Sequence, residues 1–600
     1  MIFIGLDGAD WQHLDPLIAA GAMPHLARLV TEGRGGALTT IDPPLSPLVW
    51  TTMMTGVSPL EHGILDFARR NPATGAPEPI GSMDRKVPAL WNVASVAKRR
   101  VAVLGLWATW PAEPVEGLLV ADRFFAATSR QPAPPASVHP PERVAWAAAK
   151  RREVEASVTH EQLAAYLPGL TEADYLRAKS LAEPLADPVS GLERILVETR
   201  LTHALALDWL ASEPTDLALV YFEGTDLVGH LFASYAPPRL PWIAEGDFAR
   251  FSQVPERYFR EVDRLLGDYL RLAQQRGAIL LLASDHGFQW GSERPRVVAS
   301  GEAATAGLWH RREGIWLAWG PGIAPAPREG AGVDRVAATL LALLGLPPGQ
   351  GLAGPPLPGF APGAAPPVDY RAGWRPPAAD PGATTDPQAL ARLTALGYLG
   401  SRDVARLPAP TGDATRTPAS FNNEGLIRRG EGDRAGARRA FEQALSLAPA
   451  YPSAAWNLSE LLWTEGRETG RSDELLIQAV RAGLPLGAER VVARARAWRE
   501  KGEAARSLRL LAGALDAGIT DPALRLWRGR FRLEEQDCRG ALTDFEQAAK
   551  ELPRDPLAHA SLGLARACLG DGAGARRAFV RSLELDPDQP EIESFLAGNS

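Results

Sequence analysis

Five short runs of nearly unbroken apolar character recur through the first 350 residues: Ile2–Leu6, Val101–Leu106, Leu217–Phe222, Ile279–Ser284 and Ile315–Trp319. A strand with one face in water alternates apolar with polar residues, whereas a run apolar on both parities needs cover on both faces. Between the runs lie stretches of helical period, such as Pro24–Glu32, Thr199–Ala211 and Val254–Gln275. This alternation predicts an α/β fold with a mostly parallel sheet flanked by helices. An aspartate stands at or just after the end of three of the runs: Asp7, Asp226 and Asp285. Sites in open α/β sheets form beyond the carboxyl ends of strands, so three strands are expected to deliver a carboxylate to one edge.

The chain changes character after Pro347. Stretches such as GLAGPPLPGFAPGAAPPVDY and GWRPPAADPGATTDP hold too much Pro and Gly for regular structure. A short helix, Pro387–Leu396, ending at Gly397, is expected to dock on the preceding domain. From about residue 420 the sequence repeats: AGARRAF occurs at Ala435–Phe441 and again at Ala573–Phe579, and Asp521-Pro522 returns as Asp555-Pro556. Phe441, Phe545 and Phe579 share one register, and Pro449, Pro553 and Pro587 follow at a constant offset. A unit of about 34 residues, with Gly between paired helices and Pro at its end, resembles the tetratricopeptide repeat. About five units are expected, the one near 470–500 being the least regular. The resulting organisation is a catalytic-type domain over 1–375, a Pro/Gly-rich linker with a short helix over 376–419, and an all-α solenoid over 420–600.

A chain of 600 residues exceeds a single core, and a net charge of −7 gives no indication of a nucleic-acid surface. The two cysteines, Cys538 and Cys568, are too few for a disulfide framework and fit a reducing compartment. The start, MIFIGLDGAD, lacks a basic leader, and no run approaches the ~18 apolar residues of a membrane span. The expected location is therefore cytoplasmic.

The chemistry lies in six residues, three Asp and three His. Asp226 and His230 stand four apart, so on a turn or short helix both can face one point; alone, that pattern is common in polar loops. Asp285-His286 is sharper, because an ionisable pair at the end of a buried strand is costly unless paired or metal-bound. The competing role of Asp285 as a helix cap is disfavoured by the Gly287-Phe288 that follows. His310 and Asp7 complete the set. Together with Ser46 in a Ser-Pro segment, these residues suit two adjacent divalent metals in a phosphoryl-transfer site. Mixed nitrogen and oxygen ligands favour zinc, with manganese or iron as alternatives.

The order Asp, Ser, Asp-x-x-x-His, Asp-His, His resembles the alkaline phosphatase superfamily, in its type I phosphodiesterase/nucleotide pyrophosphatase branch. The resemblance rests on GLDGAD at Gly5–Asp10, PPLSPLVWTTMMTG at Pro43–Gly56, YFEGTDLVGH at Tyr221–His230, LLASDHGF at Leu281–Phe288 and WHRREGIWLAWGPGI at Trp309–Ile323. It implies an alkaline-phosphatase-like fold and two metal positions. One would be held by Asp226, His230 and His310, the other by Asp7, Asp285 and His286 with Ser46. The resemblance also selects Ser46 over Thr51, Thr52 and Thr55 as nucleophile, acting through a covalent phosphoryl-serine. His62 falls in a motif of the family, but is expected to orient a loop by hydrogen bonding. The family's pyrophosphatases carry a phosphate-holding Asn three residues after the nucleophile, where this chain has Val49; Arg85, Lys86 and Arg123 are candidates to replace its donor, but read foremost as solvated surface charges. The C/S-x-P-S-R motif of sulfatases is absent.

The expected activity is hydrolysis of phosphate esters, of phosphodiesterase or pyrophosphatase type, with a protein partner on the repeats. A phospho-group transferase or a phosphomonoesterase on the same site is the alternative, followed by an inert interaction protein.

Overall fold

The computed structural model describes residues 1–72, 74–128, 133–181, 183–296, 305–377, 386–400 and 415–598. They form two compact units, Met1–Ala437 and Arg438–Ser600. Composition places boundaries at 375/376 and 419/420, whereas the first unit extends through the expected linker. Parts of that linker, 378–385 and 401–414, lie outside the described residues.

The first unit carries the strands β1 (Ile2–Leu6), β2 (Arg34–Thr39), β3 (Val101–Leu104), β4 (Gly117–Val120), β5 (Val138–His139), β6 (Leu217–Phe222), β7 (Leu280–Ala283), β8 (Gly287–Phe288), β9 (His310–Arg311), β10 (Glu313–Trp319) and β11 (Ala331–Gly332). Nine of them make one sheet in the order β11-β2-β10-β7-β1-β6-β3-β4-β5, and β8 and β9 form a separate hairpin. The central run β7-β1-β6-β3-β4 is parallel throughout, with β10 and β5 added antiparallel on either side. All five apolar runs are strands. Strands without such a signal include β2, whose RGGALT is glycine-rich, and the short β4 and β5; none has an extended apolar signature.

Each central strand buries both faces. Ile2, Ile4 and Leu6 of β1 join Ala218, Val220 and Phe222 of β6 in one core layer. Phe3 joins Leu219, Tyr221, Leu281 and Ala283 in the layer on the other side. Alternation along a strand assigns neighbours to opposite layers, and both layers are apolar because helices cover both.

Four helices matter for the site: α1 (Ser46–Thr55), α2 (Pro188–Ser212), α3 (Gly224–Phe232) and α4 (Val254–Arg276). The sequence pattern marks α2 only from Thr199. It starts earlier because Asp187 accepts from the Val189 and Ser190 N–H groups and Pro188 opens the first turn. Its buried positions include Ser190, Arg194 and Glu198, which blurs the apolar stripe.

The short helix expected after the linker is α5 (Pro387–Ala395), and it packs on the first unit. Leu393, Leu396, Tyr398 and Leu399 are buried in the same core layer as β1. Helix Pro418–Gly430 belongs to this unit as well: Thr417 donates to Asp66 (2.7 Å) and Asn423 to the Leu65 carbonyl (2.8 Å).

The second unit is a series of helix pairs, including Pro452–Glu465 with Thr469–Arg481, Pro522–Glu534 with Cys538–Glu551, and Pro556–Cys568 with Gly572–Leu585. Phe441, Phe545 and Phe579 are buried. The recurring Asp-Pro pairs are helix starts, with Asp521 and Asp555 accepting from the Ala523 and Ala558 N–H groups. In the irregular stretch, helices Thr469–Arg481 and Gly487–Glu500 begin after Glu468 and Leu486, both of which are left-handed (φ 43° and 55°) and make no side-chain cap. Cys538 and Cys568, 30 residues apart in sequence, are paired in a disulfide between two helices of this unit, with Cα atoms 5.9 Å apart. Among the described residues no helix is long and apolar enough to cross a membrane.

Gly5 of β1 leaves room for an indole: a Cβ there would stand 2.6 Å from the Trp50 ring. Gly5→Ala is expected to cost about 1–3 kcal/mol of stability through overpacking, read from denaturant unfolding of the parent and variant.

Candidate metal centre

The site is assembled where β1, β6 and β7 end together. Gly5 is in register with both Tyr221 of β6 and Ala283 of β7, so the residues just beyond, Asp7, Glu223 and Asp285, emerge at one level. The Asp7 N–H donates to the Phe222 carbonyl (3.1 Å), and the Thr225 hydroxyl donates to the Asp7 carbonyl. Ser284 accepts from the Ala9 N–H (3.0 Å) and donates to the His286 carbonyl (2.7 Å), clamping two of the strand ends together. Gly8 is left-handed (φ 66°), and a Cβ there would lie 3.0 Å from Asp226 Oδ1. Only glycine combines that turn with so close an approach.

Asp226 and His230 lie one turn apart on α3. His310 comes from the β8–β9 hairpin, opposite Phe288. Asp10 holds that hairpin, accepting from the Phe288 N–H (2.9 Å) and from Arg311 (3.1 Å), while it also caps the helix that follows it. Ser46 is the first residue of α1. Pro47 follows it, and Leu45 before it makes no side-chain cap. Two of the rival nucleophiles are committed to the helix: the Thr52 and Thr55 hydroxyls donate to the Leu48 and Thr51 carbonyls. His62 orients a loop as expected, accepting from the Ile64 N–H (3.2 Å) and bonding Thr52 (3.0 Å).

The structure brings all seven predicted residues together. His286 Nε2 is 3.4 Å from Asp7 Oδ1 and 3.5 Å from Asp285 Oδ2. His230 Nε2 is 3.3 Å from Asp226 Oδ2, and His310 Nε2 is 3.5 Å from Asp226 Oδ1. Ser46 Oγ lies 3.4 Å from Asp7 Oδ1. Two groups have ligand atoms within 4.8 Å of one another, Asp7 with Asp285 and His286, and Asp226 with His286 and His310. His286 belongs to both because its ring stacks on His310 at 3.7 Å.

These residues fit divalent metals on three grounds. Asp226 Oδ1, Asp285 Oδ2 and His286 Nε2 are buried without a hydrogen-bond partner, a costly state for a polar atom unless a cation takes its place. The His286 and His310 rings each set Nδ1 against a carbonyl, of Gly287 (3.1 Å) and Pro44 (2.8 Å). With Nδ1–H donated there, Nε2 is left as a ligand lone pair facing carboxylates. The third ground is electrostatic. Burial, then the charges of Asp285 and Asp226, push the Asp7 carboxyl well above its usual range. Burial and Asp226 push Asp285 to about 7. Burial also opposes ionisation of Asp226, yet the His230 and His310 partners pull it well below the usual range. Burial, with His310 beside it, keeps His286 neutral.

Four further residues complete the site and were missed in the sequence. Trp50 Nε1 (3.0 Å) and the Tyr221 hydroxyl both donate to Asp7 Oδ2, which leaves Oδ1 turned toward Ser46 and His286. The Tyr398 hydroxyl donates to Asp226 Oδ2. Burial and the adjoining carboxylates hold both tyrosines protonated, so both remain donors. Asp10 is the fourth. Trp50, Tyr221 and Asp10 lie inside the motif stretches, but an aromatic beside an apolar run reads as core. Two of the supposed surface charges are buried instead. Arg85 donates to both carboxylate oxygens of Glu113 (2.7 and 2.8 Å), and Arg123 donates to the Pro79 carbonyl (2.9 Å). Each is held by its own neighbours rather than by solvent; Lys86 is exposed.

A family model described as type I phosphodiesterase / nucleotide pyrophosphatase matches residues 1–340. A tetratricopeptide repeat model matches 422–470 and 528–590. No curated protein sequence matches. Among solved structures, the chain is similar to a phosphonoacetate hydrolase from Sinorhizobium meliloti 1021 in complex with phosphonoformate, at 17% identity over 50% of this chain and 58% of that one, with a TM-score of 0.30. It is also similar to YrrB, a TPR protein with an unusual peptide-binding site, at 15% identity over 30% of this chain and 91% of that one, with a TM-score of 0.22. A thermophilic TPR protein of Thermus thermophilus matches at 20% identity over 30% of this chain and 98% of that one, with a TM-score of 0.17.

Metal ligands must be deprotonated, and Asp285 is held near 7 with Asp7 raised as well. Zinc uptake by chelator-stripped protein is expected to release about one or two protons near pH 6 and fewer near pH 9, with affinity rising between. Calorimetry in buffers of different ionisation enthalpy counts them; a release independent of pH would mean that the carboxylates are already ionised.

Proposed function

Since the chain belongs to the type I phosphodiesterase/nucleotide pyrophosphatase family over residues 1–340, we propose that it hydrolyses phosphate esters, diesters in preference to monoesters, through Ser46 and two divalent metals, zinc foremost. The observation that carries this reading is the convergence of three buried, unpartnered ligand atoms, Asp226 Oδ1, Asp285 Oδ2 and His286 Nε2, in the cluster that holds Ser46. Asp226, His230 and His310 would hold one metal; Asp7, Asp285, His286 and Ser46 the other. Two bound cations would supply the Lewis acidity that lowers the hydroxyl pKa and neutralises charge on the transferring group.

The residues of the chain account for the remaining steps. Ser46 Oγ stands beside Asp7 Oδ1, whose partner oxygen is fixed by Trp50 and Tyr221. Pro47 has no N–H and the Leu48 N–H donates to the Leu45 carbonyl (2.9 Å), so the N–H of Ser46 itself is the first-turn donor that would meet an anionic phosphoryl oxygen. Ser46 Oγ attacks phosphorus in line as the ester oxygen departs, forming a phosphoryl-serine. Water then attacks the same phosphorus, the bond to Ser46 breaks, and the hydroxyl is restored. The repeats of the second unit offer a surface for a protein partner, as stacked helix pairs do.

The test compares bis-p-nitrophenyl phosphate with p-nitrophenyl phosphate on zinc-loaded protein. Diester turnover is expected to exceed monoester turnover, to stop with chelator, and to fall about 10³-fold or more in Ser46→Ala. Preferential monoester turnover would make the enzyme a phosphatase. Capture of the phosphoryl group by added alcohols in place of water would make it a transferase.

A further inference from the structure

The family-matched region ends at residue 340, yet one side chain in the metal cluster comes from beyond it. Tyr398 follows α5, and its hydroxyl donates to Asp226 Oδ2. Its ring packs on His230 (5.2 Å between centroids), His310 (6.2 Å) and Phe67 (4.5 Å). A single residue thus touches all three of the side chains assigned to one metal.

The segment that carries Tyr398 is anchored at both of its ends. Arg392 of α5 is half-buried between two acids, bonding Glu198 Oε2 (2.8 Å) and Glu223 Oε2 (3.0 Å). Glu198 lies on α2, and Glu223 directly precedes α3, the helix of Asp226 and His230. At the other end the Gly397 carbonyl accepts from the Thr305 (2.9 Å) and Ala306 (3.0 Å) N–H groups, in the turn that leads into His310 on β9. Leu393, Leu396 and Leu399 seat the segment in the core. Segment 386–400 therefore bridges the two pieces of chain that supply this metal's ligands.

A carboxylate that binds a metal through one oxygen needs the other oxygen held, or the group rotates between modes. Asp226 has Oδ1 unpartnered and Oδ2 on the tyrosine. The Asp7 half of the site solves the same problem with Trp50 and Tyr221. We propose that Tyr398 is a positioning residue for the metal at Asp226, His230 and His310, so that the segment after the Pro/Gly-rich stretch is a working part of the metal centre. This rests on the two-metal reading above.

Zinc titration against a chromophoric chelator tests it, on full-length parent, Tyr398→Phe and Phe67→Leu. Tyr398→Phe keeps the ring and removes only the donor. It is expected to weaken one of two zinc sites by about 10–100-fold and to leave the other unchanged. Activity lost at limiting zinc should return with excess zinc. Phe67→Leu, which loosens the ring's packing and spares the hydroxyl, should bind both zincs nearly as the parent does. Two sites of parental affinity in Tyr398→Phe would overturn the proposal, as would equal weakening in Phe67→Leu. A parent protein that takes up no zinc would sink the two-metal reading as well.

Discussion

Three carboxylates enclosed within a few ångströms of one another, out of contact with water, are the constraint around which the first unit is organised. Asp7, Asp226 and Asp285 are all but fully buried. Like charges so placed repel strongly in a medium of low polarity, and burying even one ionised carboxylate is costly. His230 and His310 favour the ionised form of Asp226, but burial keeps His286 neutral and leaves Asp7 and Asp285 raised. A cation among the ligands would relieve what remains, and the atoms without a hydrogen bond mark where it would sit. The cost of holding the cluster together is met by the sheet, whose central strands are buried on both faces and place three chain ends at one level.

Each half of the site is then refined by donors that are not ligands. Trp50 and Tyr221 hold Asp7; Tyr398 holds Asp226. These contacts reach from α1, from β6 and from the segment after α5, so distant parts of the chain share one task. Gly5 and Gly8 belong to the same design. One admits the Trp50 ring and the other lets the backbone pass close to Asp226. A side chain at either would disturb the ligands without touching a metal.

The stretch between the family-matched region and the repeats is more than a tether. Pro- and Gly-rich composition around it predicts irregular chain, and that is a sound inference about local backbone preference. Composition is silent on the worth of a single docked helix. α5 is short, but Arg392 finds the buried Glu198 and the half-buried Glu223, and Tyr398 finds Asp226. An ion pair inside the protein demands its partners, which gives the segment a defined seat.

Much of the architecture was legible because it follows from local rules. Apolar runs such as Leu217–Phe222 can only be strands covered on both sides, and Asp-Pro at 521 and 555 marks helix starts through capping and a fixed φ. The candidate ligands could be named from sequence because Asp and His at strand ends have few other uses. Elsewhere the local signal pointed the wrong way or gave none. Arg85 and Arg123 look like surface charges until Glu113 and the Pro79 carbonyl are placed beside them. Cys538 and Cys568 are 30 residues apart in sequence and joined in space. Trp50, Tyr221 and Tyr398 read as core because an aromatic side chain is mostly apolar, and its one polar atom matters only where something waits for it. The sequence by itself determined which residues could bind metal and that strands would carry them to one edge. Tertiary structure alone decided which oxygen of each carboxylate stays free to do so, because that choice is made by hydrogen-bond donors brought from distant chain segments.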